Sequence, residues 1–244
     1  MRYNNYELQM FFFLDEMLQE LSINQSKTSE TSNDITLATE LPMLELSFAI
    51  LMPHSQLPIS MTVDSFVSTL PDLLEGHLVA VISPYPKINL SHGSYIQPRV
   101  GCTGKISDIN YANGEVRMLI QGLCRFELVE ELPSKKNTLP RITVSYSKFQ
   151  NDLNTTANIS NREQLLSAIG TYLNKFSIEQ DWDTIKNTPS NVLISAITMA
   201  FPFHPLEKQS LLETISVEEQ SQIITKIIEM DAYEKSLNPV TTVN

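Results

Sequence analysis

The sequence predicts an α+β protein in which a β-rich first half gives way to helices. Three observations carry this. Between Leu41 and Phe149, short apolar runs and alternating stretches recur with turn residues between them, the texture of strands. From Asn151 onward, apolar residues recur at spacings of three and four between plain helix-start signals. A hydrophobic content of 42% over 244 residues is enough for one large core or two smaller ones. The texture divides the chain into residues 1–38, an amphipathic helix and flexible linker; 39–150, a β domain; 151–236, a helical bundle; and 237–244, a disordered tail.

The first segment places Tyr6, Met10, Phe13, Leu14, Met17, Leu18 and Leu21 on one helical stripe, followed by a Ser/Thr/Asn-rich linker. Such a tethered helix either docks on its own body or fits a partner's groove. LPMLELS, FAILM, QLPISM, HLVAVIS and PRITVSYS carry the β texture, HLVAVIS apolar throughout and so buried on both faces. VDSFVSTLPDLLEG has helical spacing disturbed at Pro71. In the second half, Ser160 with Glu163 and Ser216 with Glu219 form capping boxes. Asp181 can cap a short turn, Thr188-Pro189 fits an N-cap followed by a first-turn proline, and Pro205 can start LEKQSLLE in the same way.

The strongest local pattern is a hairpin, CTGKISDINYANGEVRMLIQGLCRFEL from Cys102 to Leu128. A two-residue Asn113-Gly114 turn would pair Ile120 with Ser107 and put the two apolar sets on opposite faces. A three-residue loop, Ala112-Asn113-Gly114, restores the match, so the burial pattern predicts that longer loop. It sets Ile106 against Ile120, Gly104 against Gly122, Val100 against Phe126 and Cys102 against Cys124. The facing cysteines are then either buried reduced thiols or a redox-sensitive staple.

Charge and motif content exclude several functions. Seventeen basic against twenty-eight acidic residues give a net charge of −11, which repels nucleic acid and anionic membranes. The basic cluster Lys135, Lys136 and Arg141 reads as a solvated loop. No apolar run approaches the roughly 18 to 20 residues that span a bilayer. The run Phe11–Leu14 is too short and too acidic in its flanks for a signal peptide, so a cytoplasmic location is expected. RVGCTGKI from Arg99 lacks the first glycine and the final Ser/Thr of a phosphate-binding loop. His54, His77, His92 and His204 are scattered and do not pair with the cysteines at metal spacings. No nucleophile elbow or metalloprotease motif is present. A non-enzyme without cofactor or metal is expected.

LPMLEL, MPHSQLPI, HLVAVI, GCTGKI and GLCRFEL, in that order, resemble the successive motifs of the Lon protease N-terminal (substrate-binding) domain family. Gly101, Gly104, Ile106, Gly122, Arg125 and Phe126 match its hairpin position by position. DWDTI and FPFHPLEKQSLLE are similar to a stand-alone bacterial branch, and the resemblance spans about Leu41 to Tyr233. One departure is Thr62-Val63-Asp64-Ser65, where the family carries an acidic residue and an arginine. The resemblance implies a PUA-like β barrel followed by a C-terminal α-helical bundle. It also implies a non-catalytic module for unfolded or partner polypeptide in protein quality control, working with an ATP-dependent protease as partner. Polypeptide would add to a barrel edge or lie between barrel and bundle, with Phe48, Met52 and Phe203 as the expected contacts. The alternative is a PUA-like small-molecule or RNA-binding module; the charge and the lack of a strand-borne aromatic set argue against RNA.

Overall fold

The computed structural model describes residues 36–46, 49–69, 72–83, 88–89, 95–96, 100–133, 138–154, 156–175 and 181–237. The expected N-terminal helix, the 22–39 linker up to residue 35 and the tail beyond residue 237 lie outside them. Two compact units divide the chain. The β unit takes the described residues up to 154 together with Phe203–Glu213, and the helical unit takes Thr156–Pro202 and the chain from Thr214.

The β unit holds β1 (Glu40–Glu45), β2 (Gln56–Thr62), α1 (Val63–Thr69), β3 (Leu78–Ile82), β4 (Ile88–Asn89) and β5 (Tyr95–Ile96). It continues with β6 (Val100–Ala112), β7 (Glu115–Leu132), β8 (Arg141–Ser145) and a 3-10 turn (Gln150–Leu153). The main sheet runs β2-β7-β6-β3-β1-β8, and β8 also pairs with β7. The pairings β7-β6-β3-β1-β8-β7 therefore form a ring, with β2 added outside it. Only β1–β3 is parallel among the ring's pairings. β3 carries four consecutive buried residues from Val79, as a strand covered on both faces must.

A core cluster of Leu41, Ala80, Ile82, Phe126, Ile142 and Val144 joins β1, β3, β7 and β8. Ile142 and Val144 enter it from one face of β8, as their alternation predicts. Thr103, buried on the same side as Ala80, shares a hydrogen bond of 3.0 Å with the Tyr146 hydroxyl, so its polar atom is not stranded.

The helical unit contains α2 (Arg162–Lys175), α3 (Trp182–Asn187), α4 (Ser190–Ala200) and α6 (Val217–Leu237). All eleven residues of α4 are buried, so it is surrounded rather than amphipathic, and Thr198 returns its hydroxyl to the Ile194 carbonyl at 2.7 Å. Tyr172 stacks on Phe201 with centroids 4.7 Å apart, and the Trp182 ring lies against Gly170. Asp181 caps α3 through Asp183 N–H at 3.0 Å and Thr184 N–H at 3.2 Å. Ser216 caps α6 by accepting from Glu219 N–H at 3.4 Å.

Two expected caps are built differently. Ser160 does not box with Glu163; its N–H, at 2.7 Å, and its hydroxyl both donate to the Glu218 carboxylate in the first turn of α6. A residue from another helix start thus does the work that sequence assigned to a local partner. Thr188 closes α3, its hydroxyl donating to the Thr184 carbonyl at 2.8 Å, and Pro189 rather than Thr188 is the N-cap of α4.

The remaining helix, α5 (Pro205–Glu213), begins at the expected proline but belongs to the β unit. Gln209 Nε2 donates to the Val100 carbonyl of β6 at 3.2 Å, which explains the association. The chain thus leaves the β unit, builds three helices, returns for α5 and leaves again.

Candidate functional site

The β6–β7 hairpin turns through Asn113 and Gly114, with φ of 55° and 82°, and Ala112 pairs with Glu115. This is a two-residue turn with both central residues left-handed, as Asn-Gly favours, and it corrects the three-residue loop expected from burial. The phase problem is solved further down the ladder. Ile106 pairs with Ile120 and Asp108 with Leu119, leaving Ser107 as a bulge whose hydroxyl donates to the Leu119 carbonyl at 3.3 Å. The turn keeps its best geometry, and one unpaired polar residue brings the apolar sets into register.

A second bulge falls at Leu123, between the pairs Gly104–Gly122 and Thr103–Cys124. Cys102 consequently faces Arg125 rather than Cys124, and Val100 faces Glu127 rather than Phe126. The expected opposition of the cysteines is thus overturned, because the bulge shifts one strand's alternation by a residue. Cys102 and Cys124 fall on opposite faces of the ladder. Both are free, buried thiols. Burial and the Asp152 carboxylate push Cys102 well up and raise Cys124 to about 12, which suits neither nucleophile nor staple.

Beyond the ring, β2, the first half of β7 and the last half of β6 form a three-stranded arm. Its registers align three rows across β2, β7 and β6: Leu57–Ile120–Ile106, Ile59–Met118–Ile109 and Met61–Val116–Tyr111. Every member of this face is apolar. The reverse face carries Ser60, Thr62, Asp108, Asn110, Arg117 and Gln121. The first row and the β7 members are buried, α1 packing on β2 and β7. Toward the tip the cover thins: Ile59, Met61 and Ile109 are half-buried, Tyr111 is 71% exposed, and Val67 on α1 is 61% exposed. This apolar margin on a polar arm is the candidate interaction surface.

The arm's outer edge is blunted. Gly122 N–H donates to the Ser55 carbonyl at 2.8 Å, so alternation turns the backbone groups of residues 57, 59 and 61 toward β7. Those of Pro58, Ser60 and Thr62 face outward, and Pro58 offers no N–H there. Proline on the open side of an edge strand discourages another strand from pairing. The arm thus presents its face rather than its edge.

The same apolar face continues under the ring's covering segments. Leu51 packs over Gly104, and the Met52 carbonyl lies directly against Gly122, where any Cβ would overlap it. Next along the face, Arg125 is 2% exposed. Its Nη2 donates to Asp152 Oδ1 at 2.7 Å, while its Nε and backbone N–H donate to Oδ2 at 2.8 and 2.9 Å. Its Nη1 donates to the Leu212 carbonyl of α5 at 3.2 Å, and its guanidinium lies 4.6 Å from the centroid of the Phe149 ring. Burial lowers the Lys208 ammonium on α5 to about 8.

The residues expected from sequence as polypeptide contacts are not brought together as an exposed set. Met52 is 1% and Phe203 is 9% exposed, both as core side chains of the β unit, and Phe48 lies outside the described residues. Sequence reasoning missed Ile59, Met61 and Tyr111. The available signal was the Ile109–Tyr111 pair, whose alternation matches Met118 and Val116 directly across a tight Asn-Gly turn; the bulge at Ser107 is needed only to bring Ile106 against Ile120. No described helix is long and apolar enough to cross a membrane. Among the described residues, no cluster of three His, Cys, Asp or Glu side chains could hold a metal ion.

Residues 40–230 match the ATP-dependent protease La (LON) substrate-binding domain family. Among solved structures, the N-terminal domain of Mycobacterium avium complex Lon protease is similar, with a TM-score of 0.57 at 14% identity. The match covers 78% of this chain and 98% of that one. A Lon N-terminal domain protein from Xanthomonas campestris gives a TM-score of 0.54 at 14% identity, covering 80% and 99%. No curated protein matches the sequence.

Proposed function

Since the chain belongs to the ATP-dependent protease La (LON) substrate-binding domain family, we propose that it binds unfolded polypeptide on the apolar face of the arm. The carrying observation is that face: nine apolar side chains in three rows, progressively exposed toward Tyr111. An unfolded segment can lay apolar side chains on it without pairing to the edge that Pro58 blunts. On this reading the protein is a non-catalytic adaptor or holding factor in cytoplasmic protein quality control, delivering its cargo to an ATP-dependent protease. The ring of strand pairings supports reading the β unit as a PUA-like barrel. The net charge of −11 argues against RNA as the ligand of such a barrel.

The test is fluorescence anisotropy of a labelled, permanently unfolded polypeptide titrated with the protein, with the native form of the same polypeptide as control. Selective binding of the unfolded form is expected. A Met61→Ser/Tyr111→Ser variant should bind about tenfold more weakly, the loss of roughly 1.4 kcal/mol that two margin contacts can carry. Arg117→Gln on the reverse face should bind as the parent does. Equal binding of native and unfolded forms, or an unaltered affinity in the double variant, refutes the assignment.

A further inference from the structure

We infer that His54 is an acid-sensitive latch that fastens the start of β2 to the body of the β unit. This goes beyond polypeptide binding and does not depend on it. His54 occupies the turn between the buried Met52 and the edge strand with φ of 58°, a left-handed conformation that costs energy in any residue bearing a side chain. Three hydrogen bonds hold the turn. His54 N–H donates to the Gly122 carbonyl at 3.0 Å, and Gly122 N–H donates back to Ser55 at 2.8 Å. The Ser55 hydroxyl donates to the Met52 carbonyl at 2.5 Å.

The half-buried imidazole has a specific weakness. Its Nε2 is buried with no hydrogen-bond partner among the described residues. The backbone carbonyls of Asp152 and Asn154 and the Asp152 carboxylate face the ring. That carboxylate is already engaged through both oxygens with Arg125, whose positive charge it neutralises. The other ionisable groups around this carboxylate are the Cys102 thiol of β6 and the Cys124 thiol of β7, both held neutral. From α5 the uncharged Leu212 carbonyl accepts from Arg125.

A proton on His54 would therefore add a cation beside an anion already satisfied, and would place it on a ring whose buried Nε2 makes no hydrogen bond, a desolvation cost that outweighs the pull of the Asp152 and Asn154 carbonyls. Opening the turn avoids both costs: the ring reaches water and the left-handed residue relaxes. Burial accordingly holds the folded imidazole below its usual value. Well above the ordinary imidazole range both forms are neutral and the latch is shut. As pH falls through that range the open form takes the proton first, and opening increases.

The test is amide hydrogen exchange of the intact chain, resolved by NMR at His54 and Gly122 and corrected for intrinsic rates, at about pH 7.5 and about pH 5.5. The opening equilibrium at these two amides should rise about tenfold at the lower pH, while the α4 amides stay unchanged. His54→Asn, which tolerates the left-handed backbone but cannot take the proton, should remove the rise. A flat profile in the parent, or an equal rise in His54→Asn, overturns the latch. Should that variant not fold, the parent's own His54 ring titration decides: its midpoint must coincide with that of turn opening. A ring that titrates while the turn stays closed also overturns it.

Discussion

Replacing Arg125 by Met tests what fastens the 3-10 turn and α5 to the hairpin. Met keeps the stem that packs beside Phe149 but removes the guanidinium. The side-chain hydrogen bonds to both Asp152 oxygens and to the Leu212 carbonyl go with it, and a buried carboxylate is left without its cation. Removing one partner of a buried ion pair costs about 3 to 5 kcal/mol, most of it the stranding of the other charge. With a urea slope of about 2 kcal/mol per molar, the midpoint should fall by roughly 2 M. Arg125→Lys should fare little better, because an ammonium cannot span both carboxylate oxygens and the carbonyl. In the double variant Arg125→Met/Asp152→Leu neither charge is present, and most of the loss should return, giving a coupling energy of at least about 2 kcal/mol. The single tryptophan lies in the helical unit, so it reports the wrong transition. Pulsed thiol labelling against urea is the better assay, because Cys102 and Cys124 are both buried in the β unit. Single-variant losses that simply add in the double variant would show that Arg125 and Asp152 are not coupled.

Other consequences follow from the same geometry. In the native protein the two thiols should resist labelling at about pH 8, since a group raised to about 12 is ionised in only about one molecule in ten thousand; labelling as fast as a free cysteine would contradict the burial. Gly122→Ala should destabilise the β unit by about 3 kcal/mol or more, through overlap with the Met52 carbonyl. Gly114→Ala, where nothing crowds the new methyl group, should cost only about 1 kcal/mol for its φ of 82°. Similar losses at the two sites, read from urea midpoints, would argue against the crowding. The Ser160 hydroxyl and N–H hold the Glu218 carboxyl below its usual range, so its stabilising effect is present above that range and lost as pH falls through the lowered value. Trp182 fluorescence should therefore show a shallower acid loss of the helical unit in Glu218→Gln than in the parent.

Much of the fold was legible because local signals and tertiary structure agree. Pro205 starts α5, Asp181 caps α3, and LPMLELS, QLPISM, HLVAVIS and PRITVSYS supply strands, whereas residues 49–52 of the FAILM run form none. The departures share one cause, which is that a residue's best partner was distant in sequence. Ser160 binds Glu218 rather than Glu163, and α5 joins β6 rather than the neighbouring helices. In the hairpin, two individually sound rules conflicted, the Asn-Gly turn and the matching of apolar faces. A bulge satisfies both, and nothing in the composition of Ser107 announces it. The exposed margin at Tyr111 was hidden for the same reason. The contact of the Met52 carbonyl with Gly122 likewise joins residues distant in sequence. The Arg125–Asp152 pair, separated by 27 residues, had no sequence signal beyond the arginine itself.

The excursion of the chain between the 3-10 turn and α5 has a bearing on biosynthesis. A nascent chain that has emerged through the end of the 3-10 turn has every strand of the sheet but lacks the carbonyl of Leu212 and the amide of Gln209. Nearly sixty further residues must be translated first, which takes roughly 3 to 12 s at ordinary elongation rates. During that interval the outer face of β6 and β7 is uncovered where α5 will lie. A stop codon placed just after the last strand would make this interval permanent, so the β unit should not be obtainable as a clean N-terminal fragment. It would need α5 supplied in trans, or grafted on by a circular permutation that brings residues 203–213 next to the sheet.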